Sequence, residues 1–279
     1  MTGTLYICGT PIGNLEDITL RQLRILKEVD LILAEDTRHT IKLLNYYEIS
    51  CPLTSYHEFN KREKGIKIIK ELLSGKNIAL VSDAGMPCIS DPGEDIINLC
   101  YENNISVTTV PGATAVISAL ILSGISCKEY AFFGFLSHNK KEQKEALASI
   151  SRETKTIIIY ESPHRLSKTL ESLKEALGDT RQIAIIREIT KKHEEVLKLE
   201  IAEAVLHYKE NSPRGEYVLV VEGKDDMDGT EENIWENISI TEHVEMYVEK
   251  GNTKKDAIKL AAKDRSLPKR QVYDEVMKK

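Results

Sequence analysis

Through residues 3–124, short apolar runs take turns with helical patterns, and this alternation limits the possible folds more than any other feature of the chain. The runs are Thr4–Cys8, Leu31–Ala34, Leu53–Tyr56, Ile78–Val81 and Val107–Val110, with helical segments between most of them. A strand followed by a helix and another strand has room for a crossover, so the pattern predicts a mostly parallel sheet. Runs that are apolar at nearly every position suit strands covered on both faces. Leu53–Tyr56, half polar, is the weakest of the five. One helix is expected to start at Thr19, where Thr19 and Gln22 have capping-box spacing.

After Gly124 the pattern changes. Ala131–Leu136, Thr156–Tyr160, Ile183–Ile186, Glu195–Leu199 and Tyr217–Val221 read as strands, but Ile186 and Glu195 lie too close for a full helix between them. A mixed, partly antiparallel sheet is expected. The reading is α/β: an N-terminal α/β domain over 1–125 and a second over 126–225. An acidic, polar linker over 226–240 and a tail over 241–279 follow. Three helices are expected in the tail, Thr241–Lys250, Thr253–Asp264 and Pro268–Lys278, with Gly251 ending the first and Pro268 opening the third. They resemble a helix-turn-helix unit.

Charge matters for partners. The net charge of −6 argues against a uniformly basic nucleic-acid binder. Yet residues 250–279 hold ten bases against four acids, which makes the tail +6 and the remainder −12. No run of about 18 apolar residues is present, so no membrane span is expected. The first residues lack the basic-then-apolar pattern of a leader. The five cysteines form no CxxC pair and read as reduced thiols of a cytoplasmic protein; no metal site is expected, and the histidines lack ligand spacing.

In open α/β sheets, ligands bind beyond the carboxyl ends of the strands. Here those ends carry Gly9–Asn14 (GTPIGN), Ala34–Thr40 (AEDTRHT), Val81–Gly93 (VSDAGMPCISDPG) and Val110–Ala115 (VPGATA). None has the lysine of a P-loop or the spacing of a dinucleotide fingerprint. They offer tightly turned backbone, small residues and carboxylates. That suits a hydroxylated sugar, an adenine and a positive centre better than a polyphosphate.

LYICGTPIGNLEDIT, AEDTRHT, LVSDAGMPCISDPG, VPGATA, FFGFL, YESPHR and RGEYVLVVEG occur in this order and span most of the chain. Together they resemble the bacterial ribosomal RNA small-subunit methyltransferase I family, within the tetrapyrrole-methylase-like, class III S-adenosylmethionine-dependent methyltransferases. The resemblance implies two α/β domains with S-adenosylmethionine between them, usually in a homodimer. It implies 2′-O-methylation of a cytidine ribose in the decoding region of small-subunit (16S) ribosomal RNA, with that RNA or the 30S subunit as partner. A tetrapyrrole or other small-molecule methyltransferase of the same superfamily is the alternative.

By position, the resemblance places Asp83, Gly85, Met86, Pro87, Ile89, Ser90 and Asp91 around the donor. Ser82-Asp83-Ala84 stands where many relatives have Gly-Asp-Pro. Pro11, Thr114 and Ala115 are expected to line the cleft. Phe135, Tyr160, Ser162 and Gly215 of the Arg214–Tyr217 segment are expected to close it. Ser162-Pro163 also reads as a helix start, with Ser162 as N-cap and Pro163 at the first helical position. A ribose hydroxyl needs help to lose its proton, and a general base contributes about 10²–10⁴-fold. Glu35, Asp36 and Glu188 are the carboxylates considered for it. Arg38, Arg165, Arg187, Lys140, Lys141, Lys269 and Arg270 are expected to hold RNA, so binding should weaken as salt rises.

Overall fold

A computed structural model describes residues 2–224, 238–265 and 267–277. The chain divides into two compact units, residues 1–223 and 224–279.

The first unit contains two five-stranded sheets. In the first sheet the strands are β1 (Thr4–Cys8), β2 (Leu31–Ala34), β3 (Leu53–Ser55), β4 (Ile78–Val81) and β5 (Ser106–Val110). All pairs are parallel, in the order β3-β2-β4-β1-β5. The helices between them are α1 (Leu20–Glu28), α2 (Thr37–Tyr46), α3 (Lys61–Leu73) and α4 (Glu94–Glu102). Successive strand residues point to opposite faces, and the packing follows that parity. Leu5, Ile7, Leu33, Ile78 and Leu80 bury against Ile68, Ile69 and Leu72 of α3 and Ile96 of α4. Cys8, Ile32, Ala34, Ala79 and Val81 bury against Ile25 and Leu26 of α1 and Leu44 of α2. Both faces are therefore covered, which is why the strands read as continuous apolar runs.

The second sheet holds β6 (Tyr130–Phe135), β7 (Thr156–Glu161), β8 (Gln182–Arg187), β9 (Glu195–Glu200) and β10 (Tyr217–Val221), in the order β6-β7-β10-β8-β9. Only β6 and β7 pair in parallel; the other pairs are antiparallel. One face packs on α6 (Lys140–Ile150), α7 (Leu166–Leu177) and α8 (Ile201–Glu210), through Ile150, Leu170, Leu173 and Val205. The opposite face meets α5 (Ala115–Ser123), which follows β5 of the first sheet. Val116, Ala119 and Leu120 of α5 bury against Ile158, Ala184, Ile186, Val218 and Val220, together with Ile12 and Ile189. That shared layer fixes one sheet against the other.

Two local readings of the sequence are corrected. Thr19 does accept the Gln22 N–H at 3.1 Å, but the buried Gln22 side chain finds no hydrogen-bond partner, so the capping box is only half formed. Helix α7 starts at Leu166 rather than at Pro163. The Ser162 carbonyl accepts from Arg165 and Leu166 N–H, so Ser162–Arg165 is a turn before the helix. All five cysteines are free; Cys8 and Cys100 are buried and Cys127 is exposed.

The second unit contains α9 (Ile240–Glu249), α10 (Lys254–Asp264) and α11 (Lys269–Val276) around Val244, Ala257, Ile258, Ala261 and Val272. Ser239 and Glu242 form a full capping box that starts α9 one residue before the expected Thr241. Gly251 follows α9 with φ +90, a backbone open mainly to glycine. Lys254, Lys255, Lys259, Lys263, Lys269 and Arg270 are exposed. Most of the expected linker, along with Lys278 and Lys279, lies outside the described residues.

Candidate functional site

Strand order decides where a ligand can sit. The chain leaves β1 toward β2 and leaves β4 toward β5, so a crevice opens beyond the carboxyl ends of β1 and β4. The two loops there are stitched together. Thr10 N–H donates to the Gly85 carbonyl at 2.8 Å, and Gly85 N–H donates back to Thr10 at 3.1 Å. Thr10 Oγ1 also donates to the Ser82 carbonyl at 3.1 Å. The β1 and β5 loops touch through glycine: a Cβ on Gly9 would come within 3.0 Å of Gly112 and 2.5 Å of Met86 Sδ. No larger residue fits at that contact without moving backbone.

The Ser82–Gly93 loop is unusually bent. Gly85, Cys88, Ser90 and Gly93 have φ of +80, +71, +68 and +145. Two of these are not glycine, so the surrounding packing holds a backbone that costs about 1–2 kcal/mol per residue in isolation. The second sheet reaches this loop. Register shifts between Phe132 and Gly134 in β6, and a Cβ on Gly134 would meet Ser90 Oγ at 3.1 Å. The irregularity brings Phe135 to the same opening.

Between these elements lies a cavity of about 530 Å³. That is within the usual range of small-molecule sites, roughly 300–1,000 Å³. Of the residues expected around a ligand, Asp83, Gly85, Met86, Ile89, Ser90 and Asp91 line it from the bent loop. Thr114 and Ala115 line it from the start of α5, and Phe135, Tyr160 and Ser162 from the second sheet. Pro87 is buried inside the loop and Pro11 precedes the lining Ile12; neither is part of the wall. Gly215 is also outside it, packed with φ +85 against the Glu188 side chain. The two rings Phe135 and Tyr160 lie 5.5 Å apart, and burial pushes the Tyr160 phenol up to about 12.

Of the Arg214–Tyr217 segment expected to close the cleft, Glu216 and Tyr217 line the cavity; the sequence reading did not assign Ile12, Ala84, Pro163, Ile186, Ile189 or Val218 to it. Strand parity was the available signal for two of them: Ile186 and Val218 are register partners on the antiparallel β8–β10 pair and bury in the same cluster. Glu161 also lines the wall, with a fully buried side chain. It accepts from Thr169 Oγ1 at 2.6 Å and Ser162 N–H at 2.8 Å, with Arg165 Nε at 3.8 Å.

The three carboxylates considered as a base are not together. Glu35 lines the cavity. Burial and the neighbouring Asp83 charge raise its pKa. Asp36 caps α2 and clasps Arg38, whose Nε is 3.0 Å from both oxygens; this holds its carboxyl below the usual range. Glu188 stands apart at φ +51. Burial opposes its ionisation, but the Glu216 N–H and the Lys191 ammonium, each at 2.9 Å, outweigh that and lower its pKa. Asp91 emerges as a further acidic group on the wall. Burial, then Glu35 and Asp83, push it up to about 7, against a lowering hydrogen bond from Ser82.

The expected RNA contacts differ in how free they are. Arg38 is 86% exposed despite its clasp. Arg165 donates to the Leu136 carbonyl at 2.7 Å, and Arg187 donates to the Arg214 carbonyl at 2.7 Å and to Glu195 at 3.2 Å. Lys140 and Lys141 are exposed in the first turn of α6, shortly after Phe135. Asp36, His39 and Asp83 place potential metal ligands within 4.8 Å. Their mutual bonds account for that spacing: Asp83 accepts Asp36 N–H at 3.1 Å and pairs with His39 Nδ1 at 3.1 Å. Arg38 already neutralises Asp36.

The family model for Tetrapyrrole (Corrin/Porphyrin) Methylases matches residues 4–205. Ribosomal RNA small subunit methyltransferase I of Bacillus subtilis (strain 168) is 52% identical over 273 residues, covering 98% of this chain and 93% of that one. Among solved structures, a cobalt precorrin-4 methyltransferase superposes with a TM-score of 0.61 at 16% identity, over 78% of this chain and 94% of that one. Uroporphyrin-III C-methyltransferase from Thermus thermophilus, complexed with S-adenosylhomocysteine, gives 0.56 at 15% identity, over 79% and 97%. These two likenesses speak to the fold alone.

Proposed function

The chain belongs to the tetrapyrrole (corrin/porphyrin) methylase family, in the group of the ribosomal RNA small subunit methyltransferase I proteins, and on that premise we propose that it methylates ribosomal RNA from S-adenosylmethionine. The acceptor is the 2′-hydroxyl of a cytidine ribose in the decoding region of the small-subunit RNA, met as RNA or as the 30S subunit. The protein acts in the cytoplasm as a homodimer. The observation that carries this is the cavity at the β1–β4 crevice, together with near-full-length similarity to small-subunit methyltransferases.

The residues present fit S-adenosylmethionine. Acidic side chains line the cavity, with no Lys, Arg or His among its lining residues, which suits a sulfonium. Phe135 and Tyr160 offer aromatic surface for an adenine, and the bent loop brings backbone close. When bound, the donor supplies an already activated methyl group, so no metal is needed.

The chain's own residues do the rest. The Thr10–Gly85 bridge holds Gly85 in the wall of the site, and holding acceptor and donor in line is worth about 7–11 kcal/mol in ideal cases. Glu35 or Asp91 takes the hydroxyl proton: both line the cavity, and both have pKa values raised toward neutrality, where a general base works best. Asp36 and Glu188, held ionised by cations, are positioning groups. Lys140 and Lys141 are exposed to meet phosphate at the surface, and Arg38, though clasped by Asp36, is exposed as well.

The test is transfer of labelled methyl to small subunits and to deproteinised 16S RNA, with the product nucleoside identified by mass spectrometry. 2′-O-methylcytidine is expected. Label in corrin or porphyrin precursors, with none in RNA, would sink the reading.

A further inference from the structure

We propose that the cavity distinguishes the methyl donor from its spent product by charge, and that Glu35, Asp83 and Asp91 form the wall that recognises the sulfonium. This rests on the reading of the cavity as the donor site.

The cavity is lined by five carboxylates, from Glu35, Asp83, Asp91, Glu161 and Glu216, and by no Lys, Arg or His. Two are neutralised from behind. Glu161 is held by Thr169, Ser162 and Arg165, and Glu216 pairs with Lys191 at 2.8 Å. Of the other three, Glu35 follows β2, and Asp83 and Asp91 belong to the bent loop after β4. Asp83 meets His39 at 3.1 Å. Among the described residues, neither Glu35 nor Asp91 is in an ion pair. Partly buried carboxylates without counter-charge are costly. Two carboxylates of this wall lack a cationic partner, and a cation entering the cavity supplies counter-charge there.

Donor and product share their adenine, ribose, amino and carboxylate groups. When the methyl passes to the acceptor oxygen, the C–S bonding pair stays on sulfur, the hydroxyl proton passes to the carboxylate of Glu35 or Asp91, and the sulfonium becomes an uncharged thioether. One methyl gives a pocket about 10–200-fold discrimination at best by shape. A charge difference beside half-buried carboxylates adds a term that acts only on the donor, and it favours release of the product.

The sign of the pH effect follows. The groups facing Asp91 are Glu35, Asp83 and Tyr160, with Cys88 in its own loop; His39 pairs with Asp83, and His57 is near Glu35. Protonation of Asp91, centred at about 7, removes charge from the wall. Donor affinity should therefore rise as pH climbs through neutrality and then level off, while thioether affinity should not follow.

The test is calorimetric titration of the full chain, as wild type, Asp91→Asn and Glu35→Gln, each checked for folding by circular dichroism. Three ligands are compared: S-adenosylmethionine, S-adenosylhomocysteine and an analogue with a protonated amine in place of the sulfonium. At about pH 8 the wild type is expected to bind both cations roughly tenfold tighter than the thioether, and this ratio should shrink several-fold by about pH 6. In Asp91→Asn the ratio should fall several-fold and lose its pH dependence; Glu35→Gln should lower it as well. Donor binding near neutrality should release protons in the wild type and fewer in Asp91→Asn. The same donor-to-product ratio in all three proteins would overturn the inference and leave the donor site standing. Failure of every ligand to bind the wild type would remove the donor site, and the inference with it.

Discussion

Asp91 shows how much a single residue depends on its neighbours. Its SDPG setting reads as turn chemistry, and nothing local marks it as a perturbed acid. The fold places it, partly buried, beside Glu35 and Asp83 on one wall. A carboxyl whose pKa is raised in the folded state contributes stability that is full below its unfolded pKa and is lost as pH rises through the folded one. For Asp91 that window runs from about 4 to about 7. The whole shift would correspond to about 4 kcal/mol, which solvent screening of a partly exposed group reduces to about 1–2. Asp91→Asn is therefore expected to be more stable than the wild type at about pH 8 and to lose that advantage progressively, down to about pH 4. Urea unfolding at the two pH values measures it.

At the scale of elements, helix ends and helix faces carry separate messages. The Ser239–Glu242 box satisfies the first turn of α9, with Glu242 Oε2 accepting Ser239 N–H at 2.7 Å. Ser239→Ala is expected to cost about 1 kcal/mol, seen as a lower unfolding midpoint of the helical unit by circular dichroism. Helix α5 is nearly all apolar because one side packs on the second sheet, yet Ile117 and Ile121 are 41% and 66% exposed. An apolar row left open on a helix that packs on the sheet suits a contact with a second copy of the chain, as the proposed homodimer requires. Replacing both with lysine is expected to shift sedimentation from dimer to monomer while S-adenosylmethionine binding persists. If the dimer survives, its contact lies elsewhere.

At the scale of the molecule, charge is divided between units. The acidic cavity belongs to residues 1–223, and the exposed lysines of α10 and α11 belong to the second unit. No helix of the described residues is long and apolar enough to cross a membrane. If the tail holds RNA through phosphate, affinity should fall as salt rises, with a slope set by the number of contacts. Lys269→Glu with Arg270→Glu is expected to weaken binding to small-subunit RNA and to reduce that slope by about 2. Donor affinity in the same variant should be unchanged, as fluorescence anisotropy and calorimetry can show.

Strand and helix positions were legible in the chain because they are written in periodicity, which is local. The apolar runs at Thr4–Cys8, Leu31–Ala34, Ile78–Val81 and Tyr217–Val221 became strands with those bounds. The loops at the carboxyl ends were legible because glycine, proline and acids concentrate there. Tertiary structure alone decided the rest. Strand order put β4 beside β1 and so joined the Thr10 and Gly85 loops. Packing of α5 on the second sheet brought Ile186 and Val218 into the wall. Glu35, Asp36 and Glu188 look alike as letters, but only Glu35 faces the cavity; the other two are held by Arg38 and Lys191. The physical reason is that a carboxylate's role is set by the charges and solvent it meets across space, and chain neighbours determine neither.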